Sequence, residues 1–185
     1  MRALGILLLT TLLISGCGGT SPSARPTPGK ASTTPADDGP ALTVTGRGTG
    51  VDCLEKVRKE DLGFWSDTLT ASTPLRITTA TAVGHGVRVL GGLLLPVVGG
   101  SVNSLGVTEW PPVVDRGLLE DVDWRARTPI FRTVLPVQRA MLPMLHVHAV
   151  GGGQLDAVDL GYRTESGATG TVRVTMGIRF SRTTC

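Results

Sequence analysis

The chain has 185 residues, with 18 Lys and Arg against 15 Asp and Glu, which gives a formal net charge of +3 at pH 7. So small an excess of positive charge, spread along the chain, does not form the basic patch that nucleic-acid binding requires. Composition therefore argues against a nucleic-acid partner.

The N-terminus carries one positive charge, Arg2, followed by an apolar run from Ala3 to Ile14. A run of about a dozen residues is too short to cross a hydrocarbon core, which needs about 20 helical residues. It is typical instead of a signal peptide that is removed on export. We therefore predict that residues 1–16 are a signal peptide.

The residues that end this segment, Ile14-Ser15-Gly16-Cys17, resemble the lipobox of bacterial lipoproteins. In that family the cysteine thiol receives a diacylglycerol, the chain is cut before the cysteine, and the new terminus can be acylated, for example with palmitate. The resemblance implies lipidation at Cys17 and a cell-membrane protein held on the extracytoplasmic face, because two or three acyl chains make a durable anchor. The alternative is an ordinary secretory signal with an incidental cysteine.

Residues 17–46 are rich in Ser, Thr, Pro, Gly and Ala and contain few large apolar side chains. Such a segment cannot bury enough apolar surface to offset the loss of chain entropy on folding. We predict a disordered tether that holds the following domain away from the lipid surface.

The remaining residues, 47–185, are enough for one compact domain with a single core. If Cys17 carries lipid, two of the three cysteines remain, Cys53 near the start of this domain and Cys185 at its end. In an oxidising compartment we expect this pair to form a disulfide that closes nearly the whole domain. Two free thiols are the alternative.

Two segments, one in the first half of the domain and one near its centre, have the alternating pattern of β-strands. Residues 75–83 alternate around threonines, Gly84-His85-Gly86 predicts a turn, and residues 87–98 continue as an apolar run. Residues 128–137 have two distinct faces and predict a further strand.

The last forty residues have the clearest strand pattern. Apolar and polar residues alternate from Val172 to Phe180 and from Val158 to Tyr162, with a glycine-containing loop at 166–170. Residues 144–150 are rich in branched side chains and are followed by Gly151-Gly152-Gly153, which predicts a turn. These residues together predict a three-stranded antiparallel meander.

Helical patterns are weak and short. Cys53–Leu62 could form two helical turns and Arg116–Asp123 another short piece. Roughly six or seven short strands, glycine-rich turns and a disulfide favour an all-β fold, an antiparallel β-sandwich, with an immunoglobulin-like arrangement as one version. That architecture implies no particular function.

Two histidines form the main candidate for a metal site. If Leu145 and Val147 face the core, His146 and His148 project together from the other face of the strand, with Met144 on the same side. A His-x-His pair can hold zinc or copper, and a thioether would favour Cu(I). The alternative is a methionine that fills the core and two solvent-exposed histidines.

Two tryptophans, Trp110 and Trp124, lie near prolines and charges in predicted loops. If exposed, they are candidates for stacking on sugars or for anchoring a partner; if buried, they fill space beneath the loops. Between them, the acidic residues of 115–123 could bind calcium, but they lack the spacing of known calcium loops and suit a solvated turn.

No catalytic motif is present. The sequence has no Gly-x-Ser-x-Gly motif, and Ser101 has only neighbouring glycines to suggest a nucleophile. We therefore expect a non-enzymatic binding or protein-interaction module that contacts an envelope component or partner protein. The alternatives are a metal-handling lipoprotein that uses His146 and His148, and a cell-envelope hydrolase in which His85 or a carboxylate pair meets a nucleophile.

Overall fold

The computed structural model describes residues 39–46, 52–55, 60–99, 102, 105–112 and 120–185. The predictions on the signal peptide, on Cys17 and on most of the tether lie outside these residues. All the described residues belong to one compact unit, Asp37–Cys185. Within them, no helix is long and apolar enough to cross a membrane.

Ten strands and one short 3-10 helix form the described part of the domain. The strands are β1 (Leu42–Thr45), β2 (Asp52–Leu54), β3 (Asp61–Trp65), β4 (Thr68–Ala71), β5 (Leu75–Pro96), β6 (Gly106–Glu109), β7 (Thr128–Pro129), β8 (Val134–Leu135), β9 (Met141–Thr164) and β10 (Thr169–Phe180). The 3-10 helix spans Trp124–Ala126. The predicted all-β class is confirmed.

The predicted division into two facing sheets, immunoglobulin-like or otherwise, is not confirmed. Hydrogen bonds join all ten described strands into one sheet. This sheet is mixed, because β2 runs parallel to β10 while the other strand pairs are antiparallel. Strand β9 is central: β5 pairs along nearly all of one edge, and β4, β3 and β10 pair with successive parts of the other.

Strands β5 and β9 are much longer than predicted, at 22 and 24 residues. The turns predicted at Gly84-His85-Gly86 and at Gly151-Gly152-Gly153 are wrong, because both strands continue through these glycines. Gly84 and Gly86 have positive φ and lie beside register shifts in the pairing with β9. The glycines therefore bend the strands through β-bulges without reversing the chain.

The bending brings the two ends of β5 near each other. Strand β7 pairs with Leu93 and Leu94, whereas β8 pairs with Leu75 and Arg76. Four residues separate β7 from β8, so these pairings lie within about 18 Å. A straight strand of this length would hold its ends about 70 Å apart. The sheet is therefore strongly curled.

The C-terminal hairpin is confirmed, but the three-stranded meander is wrong. Strands β9 and β10 pair from Arg163 with Thr169 to Gly153 with Phe180, around the predicted loop. The third predicted strand, residues 144–150, is the first half of β9 itself.

The predicted helical turns are also corrected. In the described part of Cys53–Leu62 the chain is extended, in β2 and at the start of β3, because β10 and β9 offer it sheet partners. Of Arg116–Asp123, residues 116–119 lie outside the described residues, and 120–123 form a turn and a β-bridge between Val122 and Val97 in place of the predicted helical turn. The 3-10 helix begins just after it, and the Asp123 carboxylate accepts hydrogen bonds from the backbone N–H groups of Arg125 and Ala126.

The domain begins earlier than predicted. Strand β1 lies inside the stretch assigned to the tether, pairs with β4, and buries Leu42 in the main core. The main core fills the inside of the curl. A second, smaller cluster lies on another part of the sheet and is made of Trp65, Leu95, Val122, Leu142 and Met144.

Candidate functional site

The two histidines of β9 project from one face of the sheet, as predicted. Leu145 and Val147 are fully buried in the main core, whereas His146 and His148 are partly exposed. The alternation follows from the pleat of the strand, in which successive side chains point to opposite faces.

A carboxylate that the sequence did not single out joins the two histidines. Asp61 of β3 is the register partner of His148. Its Oδ1 lies 3.0 Å from His146 Nε2 and 3.1 Å from His148 Nδ1. Neutral imidazole carries one N–H, so both contacts are hydrogen bonds when His146 holds its proton on Nε2 and His148 on Nδ1.

These hydrogen bonds change the acidity of the carboxyl group. The bonds from His146, and next those from His148, lower the pKa of Asp61 below its ordinary value of 3.8. Asp61 therefore stays ionised and acceptor-only through the physiological range, and it fixes the orientation of both rings.

Polar contacts continue from His148 through Glu60 to Arg182 in the C-terminal segment. His148 Nε2 lies 3.9 Å from Glu60 Oε2, and the other oxygen of Glu60 lies 3.9 Å from Arg182 Nη2. Glu60 and Arg182 are exposed, so water screens these contacts and each adds little stability.

Trp110 covers one side of His146. The two rings are stacked, with centroids 4.5 Å apart and planes within 8°. Gly63 lies beneath this contact, and a Cβ there would lie 3.0 Å from Thr108 Cγ2 and 3.4 Å from the Trp110 ring. The Trp110 backbone N–H also donates to Asp61 O at 3.2 Å. The tryptophan is thus tied to the same strand as the carboxylate.

Exposed apolar side chains lie beside the histidines. Gly91 of β5 is the register partner of His146, and a Cβ at Gly91 would lie 3.8 Å from the Phe131 ring. Phe131 is 39% exposed, and Leu90, next to Gly91, is 54% exposed. We call Asp61, Trp110, Phe131, His146 and His148 the histidine face.

The second predicted tryptophan lies on the smaller core cluster. Trp124 is half-buried, and the guanidinium of Arg127 lies 4.8 Å from its ring centroid. Arg127 Nη1 also donates to Trp124 O at 3.0 Å. One ring face of Trp124 is therefore already covered, as one face of Trp110 is by His146.

The predicted metal site gains no third ligand from this geometry. Met144 lies on the same face of β9 as the histidines, but it is fully buried in the smaller cluster. Among the described residues, no group of three or more His, Cys, Asp and Glu side chains could hold a metal ion. Binding of copper or zinc by His146 and His148 remains a prediction.

The disulfide pair is found as predicted. Cys53 in β2 and Cys185 at the C-terminus are bonded, with Cα atoms 6.2 Å apart. A cavity of about 310 Å³ lies beside Cys53. Its lining residues are Asp52, Cys53, Leu54, Phe64, Leu105, Gly106, Val107 and Ile178.

Among the described residues, those that would support hydrolysis are not gathered in this cavity, and Ser101 lies outside the described residues. His85 lies exposed on β5, opposite Gln154. Neither it nor the histidine face lines the cavity.

No protein-family model matches the chain, and no curated protein matches it.

Proposed function

We propose that the protein is an exported lipoprotein, anchored through Cys17 to the extracytoplasmic face of the cell membrane, and that its β-domain is a non-enzymatic binding module. The signal-peptide pattern and the lipobox support the anchor. The pairing of Cys53 with Cys185 suits an oxidising compartment.

The observation that carries the binding role is the composition of the histidine face. It combines partly exposed aromatic rings with an imidazole pair whose orientation is held by Asp61. Aromatic anchors that need little ordering on binding are frequent at the centres of interfaces. The neighbouring exposed Leu90 enlarges the apolar surface that a partner could cover.

Lipidation is tested by mass spectrometry of the protein purified from the membrane fraction. We expect a mature chain that starts at Cys17 and carries a diacylglycerol with one further acyl chain at most. Cys17→Ala should leave the protein unprocessed. An unmodified cysteine, or cleavage elsewhere, would rule out the anchor.

The binding role is tested by photo-crosslinking in the intact cell. A photoreactive amino acid replaces Leu90, beside the histidine face, or Thr171, an exposed matched control on β10. We expect adducts at position 90 alone. Trp110→Ala should weaken them, since loss of an interface tryptophan commonly costs about 2 kcal/mol or more. Equal adducts at both positions, or no effect of Trp110→Ala, would contradict the assignment.

A metal-handling role is the second candidate. The observation that favours it is the placement of two imidazoles on the same face, both directed at one carboxylate oxygen. Titration with Zn(II) and with Cu(I), wild type against His146→Ala, tests it. Metal handling predicts weaker binding in the variant, and identical titrations would exclude it.

A further inference from the structure

Two arginines face each other directly across the long strands. Arg76 of β5 and Arg163 of β9 are register partners, and both are exposed. Cross-strand partners share a face of the sheet, with Cβ atoms about 5 Å apart, and like charges in this position destabilise a sheet. The pair therefore needs an explanation other than the stability of the domain.

Neither arginine forms an ion pair with an acidic side chain in the part of the chain that the structure describes. Arg76 Nη1 donates to the carbonyl oxygen of Arg132 at 2.8 Å, which positions its guanidinium without cancelling its charge. Arg173, elsewhere on the sheet, makes a bidentate ion pair with Asp159, with N–O distances of 2.7 and 2.8 Å. The arginine pair is free to bind an external anion.

The arginine pair lies where the N-terminal segment joins the domain. The backbone N–H of Ser72 donates to Ala41 O at 2.9 Å, beside the start of β1. Arg76 follows four residues later, within about 14 Å along the chain. The turn after β9 is held to the same place, because Glu165 N–H donates to Pro74 O at 3.1 Å.

An exposed apolar side chain lies at this junction too. Val137 is 43% exposed and forms a β-bridge with Ala71, the last residue of β4. Gln138 N–H donates to Ala71 O, and the next residue, Arg139, is exposed. Basic side chains around an exposed apolar one suit the headgroup region of a bilayer.

We propose that Arg76 and Arg163 dock the domain onto the phosphate-bearing headgroups of an anionic membrane, the membrane that holds the lipid on Cys17. This inference rests on the proposed anchor, because the tether keeps the arginine pair at high local concentration near the bilayer. Arginine binds phosphate oxygens bidentately, and each basic side chain near an anionic surface strengthens docking about fivefold.

Docking is measured with the full-length, lipidated protein reconstituted into vesicles. A fluorophore is attached at Ser166→Cys, in the exposed turn that follows Arg163, and a lipid with a nitroxide headgroup quenches it on close approach. One set of vesicles is phosphatidylcholine alone, and in the other about a third of the lipid is phosphatidylglycerol. Mass spectrometry of the same sample reports the lipid on Cys17.

We expect strong quenching only with phosphatidylglycerol, and its loss at high salt. Arg76→Gln and Arg163→Gln should each weaken docking about fivefold. The matched control Arg173→Gln, whose charge is already paired, should change it less than about twofold. Arg163→Gln should also raise the urea midpoint of unfolding, because it removes a like-charge contact. If Arg163 stabilised the fold, the same substitution would lower the midpoint.

Equal quenching in both vesicles, or an equal loss with Arg173→Gln, would overturn the docking surface while leaving the anchor intact. An unlipidated Cys17 would overturn the anchor and the docking together, and the mass measurement separates that result from the first.

Discussion

At the scale of single residues, Asp61 has the best-defined role in the candidate site. Its Oδ1 accepts hydrogen bonds from His146 and His148, which are separated by one residue on β9. Imidazoles at this spacing are about 7 Å apart along the strand, and the carboxylate lies between them. Asp61 therefore holds both rings through a single carboxylate oxygen.

Asp61 should make the stability of the domain sensitive to acid. Its pKa is lowered in the folded protein, chiefly by the bond from His146, so the stabilisation is present above pH 3.8 and is lost as the pH falls below that value. As the pH falls from about 6 to about 3, the urea midpoint of unfolding should fall less in Asp61→Asn than in wild type. Glu165→Gln, at an exposed carboxylate, is the control, and an unchanged pH profile in Asp61→Asn would contradict this role.

Asp67 should behave in the opposite way. It is only 5% exposed, and burial raises its pKa above the ordinary value of 3.8. Its contribution is therefore most favourable below pH 3.8 and is lost as the pH rises through the folded-state pKa. Asp67→Asn should raise the free energy of unfolding at pH 7 by about 1 kcal/mol, since it removes a buried charge that forms no ion pair with any described residue. Denaturant titration measures this change, with Asp156→Asn as the control. If Asp67→Asn destabilised the domain at pH 7 while Asp156→Asn did not, the ionised carboxylate of Asp67 would be needed for stability.

At the scale of elements, glycines decide the shape of β5. Gly84 has φ of 144°, and a Cβ there would lie 2.0 Å from the backbone oxygen of Gln154 on β9. Backbone approach this close excludes any other residue. The curl of the sheet, and the position of the histidine face on it, depend on such points.

Gly84→Ala should therefore cost about 3 kcal/mol, which combines backbone strain with overpacking against β9. The matched control is Gly167→Ala, in the turn after β9. Its φ is also positive, at 91°, but a Cβ would meet no atom within 4 Å. There we expect a cost of about 1 kcal/mol. Equal unfolding midpoints for the two variants would show that β5 and β9 do not pack so closely.

Strand patterns predicted the type of element better than its extent. The alternation from Val172 to Phe180 identified β10 because one face of that strand is buried. The glycines at 84–86 and 151–153 were interpreted as turns, since a glycine pattern alone does not distinguish a chain reversal from a bulge. Which of the two forms depends on whether a partner strand continues alongside, and here β5 and β9 are each other's partners.

At the scale of the whole molecule, the disulfide joins β2 to the C-terminus of the domain. Cys53 and Cys185 are 132 residues apart, so in the unfolded state the bond closes most of the domain into one loop. The chain-entropy estimate for a loop of this length is about 5 kcal/mol. Cys53→Ser with Cys185→Ser should lower the free energy of unfolding by up to that amount in urea. Cys17→Ser is the control and should leave it unchanged; a loss below about 1 kcal/mol would imply substantial structure or compensation in the unfolded state.

The candidate site was partly predictable. The shared face of His146 and His148 follows from the two-residue period of a strand, which is a local property. Asp61, Trp110 and Phe131 were not assigned to the same place, because they lie in distant segments that meet only through the register of β3, β5 and β6 with their neighbours. A one-residue slip in that register would have moved these side chains to the other face.

The sequence by itself determined the all-β class, the strand pattern of β10 and the pairing of Cys53 with Cys185, because these depend on residue type, on local periodicity and on the number of cysteines. It also supplies the lipobox pattern on which the anchor prediction rests. Only the tertiary structure decided the single curled sheet, the carboxylate between the histidines and the opposed arginines. Those features depend on contacts between residues far apart in the chain, which local patterns do not specify.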